Sequence, residues 1–249
     1  MEFKGIDILS AKQFNRGDIE VVLKMAGKME PFASKKKWGD LLQGKLLASL
    51  FYEPSTRTRL SFETAMNRLG GRVISSVGMQ FSSLTKGETL YDTGRIVEQY
   101  ADIIVMRHSE DGSGEKLAHG ANIPVINAGD GANEHPTQSF LDLYTIQKEL
   151  GKVDGLTVAM VGDLKFGRTV HSLTQMLSHF DIELIFVSPP ELKMPEPICR
   201  ILKEKNIPYK ETTDMAEAMK WTDVLYMTRI QHERFDDPKE YEKHKGGYI

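Results

Sequence analysis

The segment 51–63 carries several side chains that donate hydrogen bonds to anions within a few positions of one another. Ser55 and Thr56 follow an apolar run typical of a buried strand and precede apolar residues at helical spacing. Backbone N–H groups point outward at the start of a helix, and the helix dipole favours negative charge there. Arg57 and Arg59 add forked donors that fit phosphate or carboxylate. The segment therefore predicts an anion-binding loop.

A helix cap followed by surface arginines is the alternative interpretation of this segment. It would explain one serine and one arginine, but four adjacent donors favour anion binding. The Gly-x-x-x-x-Gly-Lys pattern of nucleotide-binding P-loops does not occur in the sequence, so this is not a P-loop.

Two more candidates follow predicted strands of the first half. Arg107 follows the apolar run 103–106, which is a ligand-facing position in a parallel sheet, although a surface salt bridge is an equal alternative. His135 precedes Pro136 at a predicted helix start, and Gln138 lies one turn along on the same face. An imidazole and a carboxamide that face one point can hold a carbonyl oxygen and an NH₂ group together. A helix cap with a partly exposed histidine is the alternative.

The second half offers two arginines at strand ends. Arg168 lies at a helix start after the strand 156–161, where a Rossmann Gly-x-Gly-x-x-Gly loop would be expected but is not found. Arg229 follows the last predicted strand, 224–227. Two arginines at one edge indicate a substrate with two carboxylates. Lys86 lies on a glycine-containing loop, and its residue chemistry alone favours a solvated lysine.

Alternating strands and helices must position these residues. In the first half, strands are predicted at 45–51, 72–76, 103–106 and 123–126, and helices at 58–69, 89–100 and 137–150. In the second half, strands are predicted at 156–161, 182–187, 207–210 and 224–227, and helices near 170–180, 195–205 and 214–220. Ser10 and Gln13 form a capping-box pattern that predicts the start of an N-terminal helix.

This alternation predicts an α/β fold with two domains, each a parallel sheet flanked by helices, the second being Rossmann-like. We expect a first domain at 1–135, a linking helix at 136–150 and a second domain at 151–249. Paired α/β domains usually bind ligand in the cleft between them, beyond the carboxyl ends of the strands.

The composition excludes several classes of function. The chain has 249 residues and a net charge of −3, which gives no general attraction to nucleic acid or to anionic membranes. No apolar run approaches the length of a membrane span, and the N-terminus lacks the apolar core of a signal peptide. Its one cysteine, Cys199, excludes an internal disulfide, and no Cys/His metal spacing occurs. We expect a cytoplasmic protein without a metal or a cofactor.

Together these motifs resemble the aspartate carbamoyltransferase family. The resemblance spans nearly the whole chain, in the expected order, through segments 51–59, 86–89, 105–108, 134–138, 161–172 and 226–229. The first segment is common to carbamoyltransferases. Those around Lys86 and Arg168 are specific to the enzymes that use aspartate, since the ornithine enzymes have other residues there.

The resemblance implies transfer of the carbamoyl group of carbamoyl phosphate to L-aspartate, which gives N-carbamoyl-L-aspartate and phosphate in pyrimidine biosynthesis. It implies that carbamoyl phosphate is held by Ser55, Thr56, Arg57, Thr58 and Arg107. His135 and Thr58 would polarise its carbonyl oxygen, and Gln138 would hold its NH₂ group. The aspartate carboxylates would be bound by Arg168, Arg229 and Gln231. The residues implied in catalysis are Arg57, Thr58, Arg107 and His135.

The resemblance also implies a homotrimer with sites shared between subunits. The loop from Ser82 to Lys86 is similar to one that enters the neighbouring subunit's site, and either Ser82 or Ser83 would take part. Regulatory chains are a possible partner of such trimers.

One departure from the family pattern concerns the end of the chain. The family's later His-Pro-Leu-Pro-Arg-type loop and its terminal helix have no counterpart in the sequence, so we expect a chain that lacks the C-terminal segment and is unstable or weakly active. One alternative function is therefore an inactive or weakly active truncated chain that acts as a trimerising subunit. Another is a carbamoyltransferase with a different amine substrate, which Lys86 and the pair Arg168 and Arg229 argue against.

Overall fold

The structure, a computed structural model, describes residues 2–34 and 37–229. The chain divides into two compact units, Met1–Phe140 and Leu141–Ile249. The division falls inside the helix Pro136–Leu150.

The first unit contains a four-stranded parallel sheet. Its elements are α1 Arg16–Ala33, β1 Leu46–Phe51, α2 Thr56–Arg68, β2 Arg72–Val77, α3 Leu90–Val97, β3 Ile103–His108, α4 Ser113–Ala118, β4 Val125–Asp130 and the start of α5 Pro136–Leu150. Short 3-10 turns occur at Ala11–Gln13, Met79–Phe81 and Ser83–Lys86. The strands lie in the order β2-β1-β3-β4, and each adjacent pair is parallel.

Alternate residues of the inner strands pack on opposite faces of this sheet. Ala48 of β1 belongs to a core cluster with Leu117 of α4, whereas its neighbour Leu47 packs in a second cluster with Met66 of α2. Both faces of the inner strands are therefore covered. Buried parallel strands of this kind read as continuous apolar runs in a sequence.

The second unit repeats the same architecture. Its elements are β5 Leu156–Val161, α6 Arg168–Leu177, β6 Ile182–Val187, α7 Glu196–Glu204, β7 Tyr209–Thr212, α8 Met215–Ala218 and β8 Val224–Met227, with 3-10 turns at Pro190–Leu192 and Met219–Trp221. The strands lie in the order β7-β6-β5-β8 and are parallel. Val161 and Ile185 pack with Ala218 of α8 on one face.

Two parallel sheets flanked by helices confirm the predicted fold class. Gly151 ends α5 with a φ of +74°, a left-handed conformation that glycine adopts without strain. The sequence pattern missed α4, a helix of 6 residues next to glycines. Element ends also differ from the prediction: β4 is Val125–Asp130 rather than 123–126, β7 begins after residue 207, and α3 is shorter than 89–100.

The predicted N-terminal helix start was wrong in its position. Ser10 and Gln13 do form a reciprocal capping box, but it opens only the 3-10 turn Ala11–Gln13. The long helix α1 begins later, behind a second capping box made by Asn15 and Asp18. Both capping boxes precede the same apolar pattern. The helix begins after the second box, directly before the residues of α1 that are buried in the core. None of the helices among the described residues is long and apolar enough to cross a membrane.

Candidate anion-binding sites

The order of strands places a topological switch point between β1 and β3 in the first sheet. From β1 the chain proceeds to β2 on one side and later adds β3 on the other side. Ligands of open parallel sheets bind beyond the carboxyl ends of the strands at such a point. Phe51 at the end of β1 pairs with Arg107 of β3, and the Tyr52 N–H donates to the Arg107 carbonyl at 2.9 Å. The predicted anion-binding loop and Arg107 therefore lie side by side at the switch point.

The loop after β1 leads directly into the N-terminus of α2. Ser55 is the N-cap residue with an extended backbone, yet its hydroxyl makes no capping hydrogen bond in the described structure. Thr56 and Arg57 are exposed in the first turn, and Thr58 is half-buried. The first N–H groups of a 13-residue helix thus lie beside three hydroxyls and an arginine. This arrangement suits an anion better than a simple helix cap.

Arg107 is paired with an acid from the same loop. Its Nη2 lies 2.7 Å from Oε1 of Glu53, and the two side chains are only 13% and 20% exposed. The alternative interpretation of Arg107 was a surface salt bridge. Arg107 does form a salt bridge, but the pair is mostly buried and lies at the switch point. An anion that binds Arg107 must share the guanidinium with Glu53 or displace the carboxylate.

His135 lies immediately before α5, after the carboxyl end of β4. It is 4% exposed, so the alternative of a partly exposed histidine is not observed. The Gln138 N–H donates to the His135 carbonyl at 3.1 Å in the first turn, and the Gln138 side chain is half-buried. Because β4 is the neighbour of β3, His135 follows the same edge of the sheet as Arg107.

The loop after β2 contains the remaining predicted residues of the first unit. The Ser82 hydroxyl accepts from the Leu84 N–H at 3.3 Å and also hydrogen-bonds the Tyr52 side chain. Burial raises the pKa of the Tyr52 hydroxyl, and the bond with Ser82 partly opposes that rise. Ser83 and Lys86 are exposed. Ser82 is therefore tied to its own chain beside the anion-binding loop, while Lys86 is an exposed residue.

His108, the last residue of β3, does not add a positive charge to this edge. Burial lowers its pKa, and nearby acids only partly oppose the effect. Its Nδ1 accepts the Glu110 N–H at 3.0 Å, which leaves the neutral ring with its proton on Nε2. The positive charge at the end of β3 is thus that of Arg107, not of His108.

The second sheet has its own switch point, between β5 and β8. From β5 the chain proceeds to β6 and β7 on one side, and β8 is added on the other side. Arg168 is the first residue of α6, in the connection after β5, and it is half-buried. Arg229 lies two residues after the end of β8 and is exposed. Both predicted carboxylate-binding arginines thus follow the strands that flank this switch point.

Close packing joins the two connections that carry these arginines. Gly162 has a φ of +114°, and a Cβ there would overlap the Thr228 carbonyl. The Thr228 Oγ1 accepts the Asp163 N–H at 3.0 Å. The buried Asp163 in turn accepts the Phe166 N–H at 2.9 Å, which shapes the loop just before Arg168. Gln231, also predicted to bind a carboxylate, lies outside the described residues.

Two acidic residues escaped the sequence interpretation. Glu53 lies within the anion-binding segment, where an acid among so many cationic and hydroxyl groups is itself a signal. Asp130 is buried at the end of β4 and gave no local signal, because its partners are distant in sequence. Within the described residues, no cluster of His, Cys, Asp and Glu side chains could hold a metal ion.

Two parallel-sheet units with cationic groups at their switch points define a class of α/β proteins that bind acidic small molecules. Family profiles match both units. The aspartate/ornithine carbamoyltransferase carbamoyl-P binding domain matches residues 7–148, and the Asp/Orn binding domain of the same family matches residues 154–249. The chain belongs to the aspartate/ornithine carbamoyltransferase family.

This chain covers most of the length of each relative described below. The aspartate carbamoyltransferase catalytic subunit of Thermococcus kodakarensis is 54% identical over 248 residues, which are 100% of this chain and 80% of the relative. The solved catalytic subunit of Methanocaldococcus jannaschii aspartate transcarbamoylase is 53% identical, with a TM-score of 0.88 over 97% of this chain and 79% of that one. The Trypanosoma cruzi aspartate transcarbamoylase in complex with carbamoyl phosphate and aspartate is 42% identical, with a TM-score of 0.90 over 98% and 79%.

Proposed function

We propose that this chain transfers the carbamoyl group of carbamoyl phosphate to the amine of L-aspartate, releasing N-carbamoyl-L-aspartate and phosphate. The observation that carries the proposal is the content of the two switch points. The first has hydroxyls, arginines and a helix N-terminus suited to a phosphate, and the second has two arginines suited to a dicarboxylate. The names of the relatives give independent support, since they are aspartate carbamoyltransferase catalytic subunits.

In the first unit, the N-terminus of α2 with Ser55, Thr56 and Arg57 receives the phosphate group. Arg107 serves as a second phosphate cation once Glu53 shares or leaves its guanidinium. His135 and Thr58 donate toward the carbonyl oxygen, and Gln138 holds the NH₂ group. The burial of His135 supports this role, because a hydrogen bond in a water-poor position is stronger than one in solvent.

In the second unit, Arg168 and Arg229 bind the two carboxylates of aspartate, with Gln231 as a further partner. Guanidinium forks match carboxylates with two parallel hydrogen bonds. The preference for aspartate over ornithine follows, because ornithine would bring a second ammonium group where the acceptor carries a carboxylate.

The chemistry needs no cofactor. The neutral amine of aspartate attacks the carbonyl carbon, a C–N bond forms, and negative charge develops on the carbonyl oxygen. Fixed donors aimed at that oxygen lower the barrier, and each is worth about 3–4 kcal/mol. The C–O bond to phosphate then breaks, phosphate leaves with the electron pair, and the proton of the amine passes to the departing phosphate. Arg57 and Arg107 stabilise the charge on the departing phosphate.

We also propose that the chain acts as a homotrimer in which Lys86, with Ser82 or Ser83, serves the site of a neighbouring subunit. Apolar side chains on the α2 and β2 surface support self-association, since Leu60, Ile74 and Val77 are 47%, 41% and 43% exposed. The relatives are named catalytic subunits, and we propose the same part for this chain, with regulatory chains as possible partners.

The experiment that tests the function is product formation from carbamoyl phosphate with L-aspartate, with L-ornithine as the control acceptor. We expect carbamoyl aspartate from aspartate alone. Binding of N-(phosphonacetyl)-L-aspartate, measured by calorimetry, separates the alternatives where turnover is weak. Tight binding with only weak turnover would identify a weakly active subunit, whereas binding of phosphate alone would indicate another acceptor.

A further inference from the structure

Asp130, at the carboxyl end of β4, is a buried carboxylate that takes no part in the proposed substrate contacts. It holds together the chain segments at this end of the first sheet. Asp130 is 2% exposed, and its two oxygens accept four hydrogen bonds in the described structure. Oδ1 accepts Nδ2 of Asn127 at 2.8 Å and the Glu134 N–H at 3.1 Å. Oδ2 accepts the Gly112 N–H at 2.7 Å and Nδ2 of Asn133 at 3.0 Å. Charge-assisted bonds of this kind are about twice as strong as neutral ones.

The backbone of the same residue closes the loop that precedes His135. The Asp130 N–H donates to the Glu134 carbonyl at 3.2 Å, and the Asn133 N–H donates to the Asp130 carbonyl at 3.0 Å. Side chain and backbone of one residue therefore hold both ends of a five-residue turn. His135 is the residue that immediately follows this turn, so its backbone position depends on Asp130.

Asp130 is also placed against the strand that carries Arg107. Met106 pairs with Asn127, but His108 pairs with Asp130, so β4 has one more residue than β3 in this stretch. Such bulges redirect the following chain and are frequent near active sites. The bulge places Asp130 beside His108, one residue from Arg107.

A second carboxylate supports the same turn from its other side. The Glu134 oxygens accept the Ser10 hydroxyl at 2.8 Å and the Ala11 N–H at 3.2 Å. Glu134 thus anchors the turn to the N-terminal segment, while Asp130 anchors it to the sheet. Asp130 also pairs with His108 at the end of β3.

We infer that Asp130 is a positioning residue that sets His135 relative to Arg107, so that both can act on one carbamoyl phosphate. This inference rests on the proposed function. It assigns Asp130 no contact with substrate. Its effect on the reaction passes through the placement of the His135 donor, and a misplacement of about 1 Å can cost on the order of 10²-fold in rate.

The test uses the isosteric change Asp130→Asn. It replaces a carboxylate oxygen, which accepts hydrogen bonds in the wild type, with an NH₂ group that faces the same donors. The matched control is Asp102→Asn. Asp102 accepts Lys45 Nζ at 2.8 Å and the Leu46 N–H at 2.9 Å at the opposite, amino-end edge of the same sheet. Both variants lose hydrogen bonds of a carboxylate that ties strands together, but only one lies beside His135.

We expect Asp130→Asn to lower kcat by about 10–100-fold, with a change of about threefold or less in the KM for carbamoyl phosphate, because the α2 loop is untouched. Asp102→Asn should keep kcat within about twofold of wild type, even where its thermal midpoint falls as much as that of Asp130→Asn. Equal effects of the two variants on kcat would overturn the inference, since both would then act through stability.

A readout without turnover separates this inference from the proposed function. The ring signal of His135 in a nitrogen-15 NMR spectrum, assigned with His135→Gln, should shift in Asp130→Asn and stay in place in Asp102→Asn. An unshifted signal would refute the positioning role. Absence of turnover in wild type would refute the proposed function, while the NMR result would still decide the role of Asp130.

A milder variant serves where Asp130→Asn does not fold. Asn133→Ala removes one of the four donors from an exposed side chain, and Asn67→Ala removes a comparable exposed amide that bonds the Glu63 carbonyl at 2.8 Å. We expect a fall in kcat of about threefold or more for Asn133→Ala alone. Equal kcat in both variants would count against the positioning role.

Discussion

Arg107 was predicted from its position on a strand, and the structure pairs it with Glu53, which affects how it can bind an anion. The guanidinium lies at the switch point, where a ligand anion is expected, but it already faces the carboxylate of Glu53 at 2.7 Å. A pair that is mostly buried keeps the arginine in place and also competes with the ligand. If phosphate binds Arg107 as proposed, its binding free energy includes the cost of loosening this pair.

Glu53→Gln should make phosphate bind more tightly. The change removes a competing negative charge without changing the size of the side chain, and a competition worth about 1 kcal/mol corresponds to about fivefold in affinity. Calorimetric titration with inorganic phosphate measures the effect. Glu63→Gln is the control, because Glu63 accepts hydroxyls of Ser49 and Ser75. Unchanged or weaker phosphate binding by Glu53→Gln would show that Glu53 mainly orients the arginine.

Arg57→Ala should lower turnover far more than it lowers stability. Arg57 is exposed, so its removal loses little packing, whereas a cation that stabilises the departing phosphate is worth about 10²–10³ in rate. The measurements are kcat/KM and the urea midpoint. Arg72→Ala, an exposed arginine at the amino end of β2, is the control and should retain activity. Equal losses of activity and stability for Arg57→Ala would make Arg57 a structural residue.

At the scale of elements, two glycines allow α3 and α4 to pack closely. A Cβ at Gly120, just after α4, would overlap the Tyr91 carbonyl, and a Cβ at Gly94 would overlap the Leu117 carbonyl. These reciprocal contacts pack backbone against backbone, so neither helix can yield by turning a side chain. The packing supports the face of the sheet that carries Leu117 in its core.

Gly120→Ala should therefore destabilise the protein by about 1–3 kcal/mol, because the helices must separate to admit a methyl group. Urea denaturation measures the loss. Gly114→Ala is the control within α4, where a Cβ would meet Asn127 only at an ordinary 3.4 Å, and alanine is about 1 kcal/mol better than glycine in a helix. We expect that variant to be neutral or slightly stabilised. A Gly120→Ala protein as stable as wild type would disprove the close approach.

At the scale of the whole molecule, the proposed shared sites can be tested by mixing inactive variants. Arg57→Ala and Lys86→Ala should each be nearly inactive alone. If each site takes Arg57 from one subunit and Lys86 from the next, random mixed trimers regain about one quarter of the wild-type sites. The assay is turnover after the variants are dissociated and reassembled together, with each variant reassembled alone as the control. No gain on mixing would exclude sharing through Lys86.

The sequence alone determined the fold class, the order of the strands in the chain and the positions of the cationic groups. These are local properties: an apolar run such as 156–161 identifies a buried strand, and a serine before apolar residues at helical spacing identifies the start of α2. Helix ends were less well predicted. The capping box at Ser10 is satisfied within a single turn, and only packing decides that α1 begins at Arg16.

Only the tertiary structure decided which residues meet. It placed β3 beside β1 and β8 beside β5, which created the switch points, and it paired Arg107 with Glu53, 54 residues apart. It also buried Asp130 among donors from three parts of the chain. Strand order and buried hydrogen bonds depend on contacts between segments distant in sequence, and each such contact depends on how the whole sheet assembles. The sequence therefore determines the chemistry of each residue, whereas the tertiary structure determines which residues it contacts.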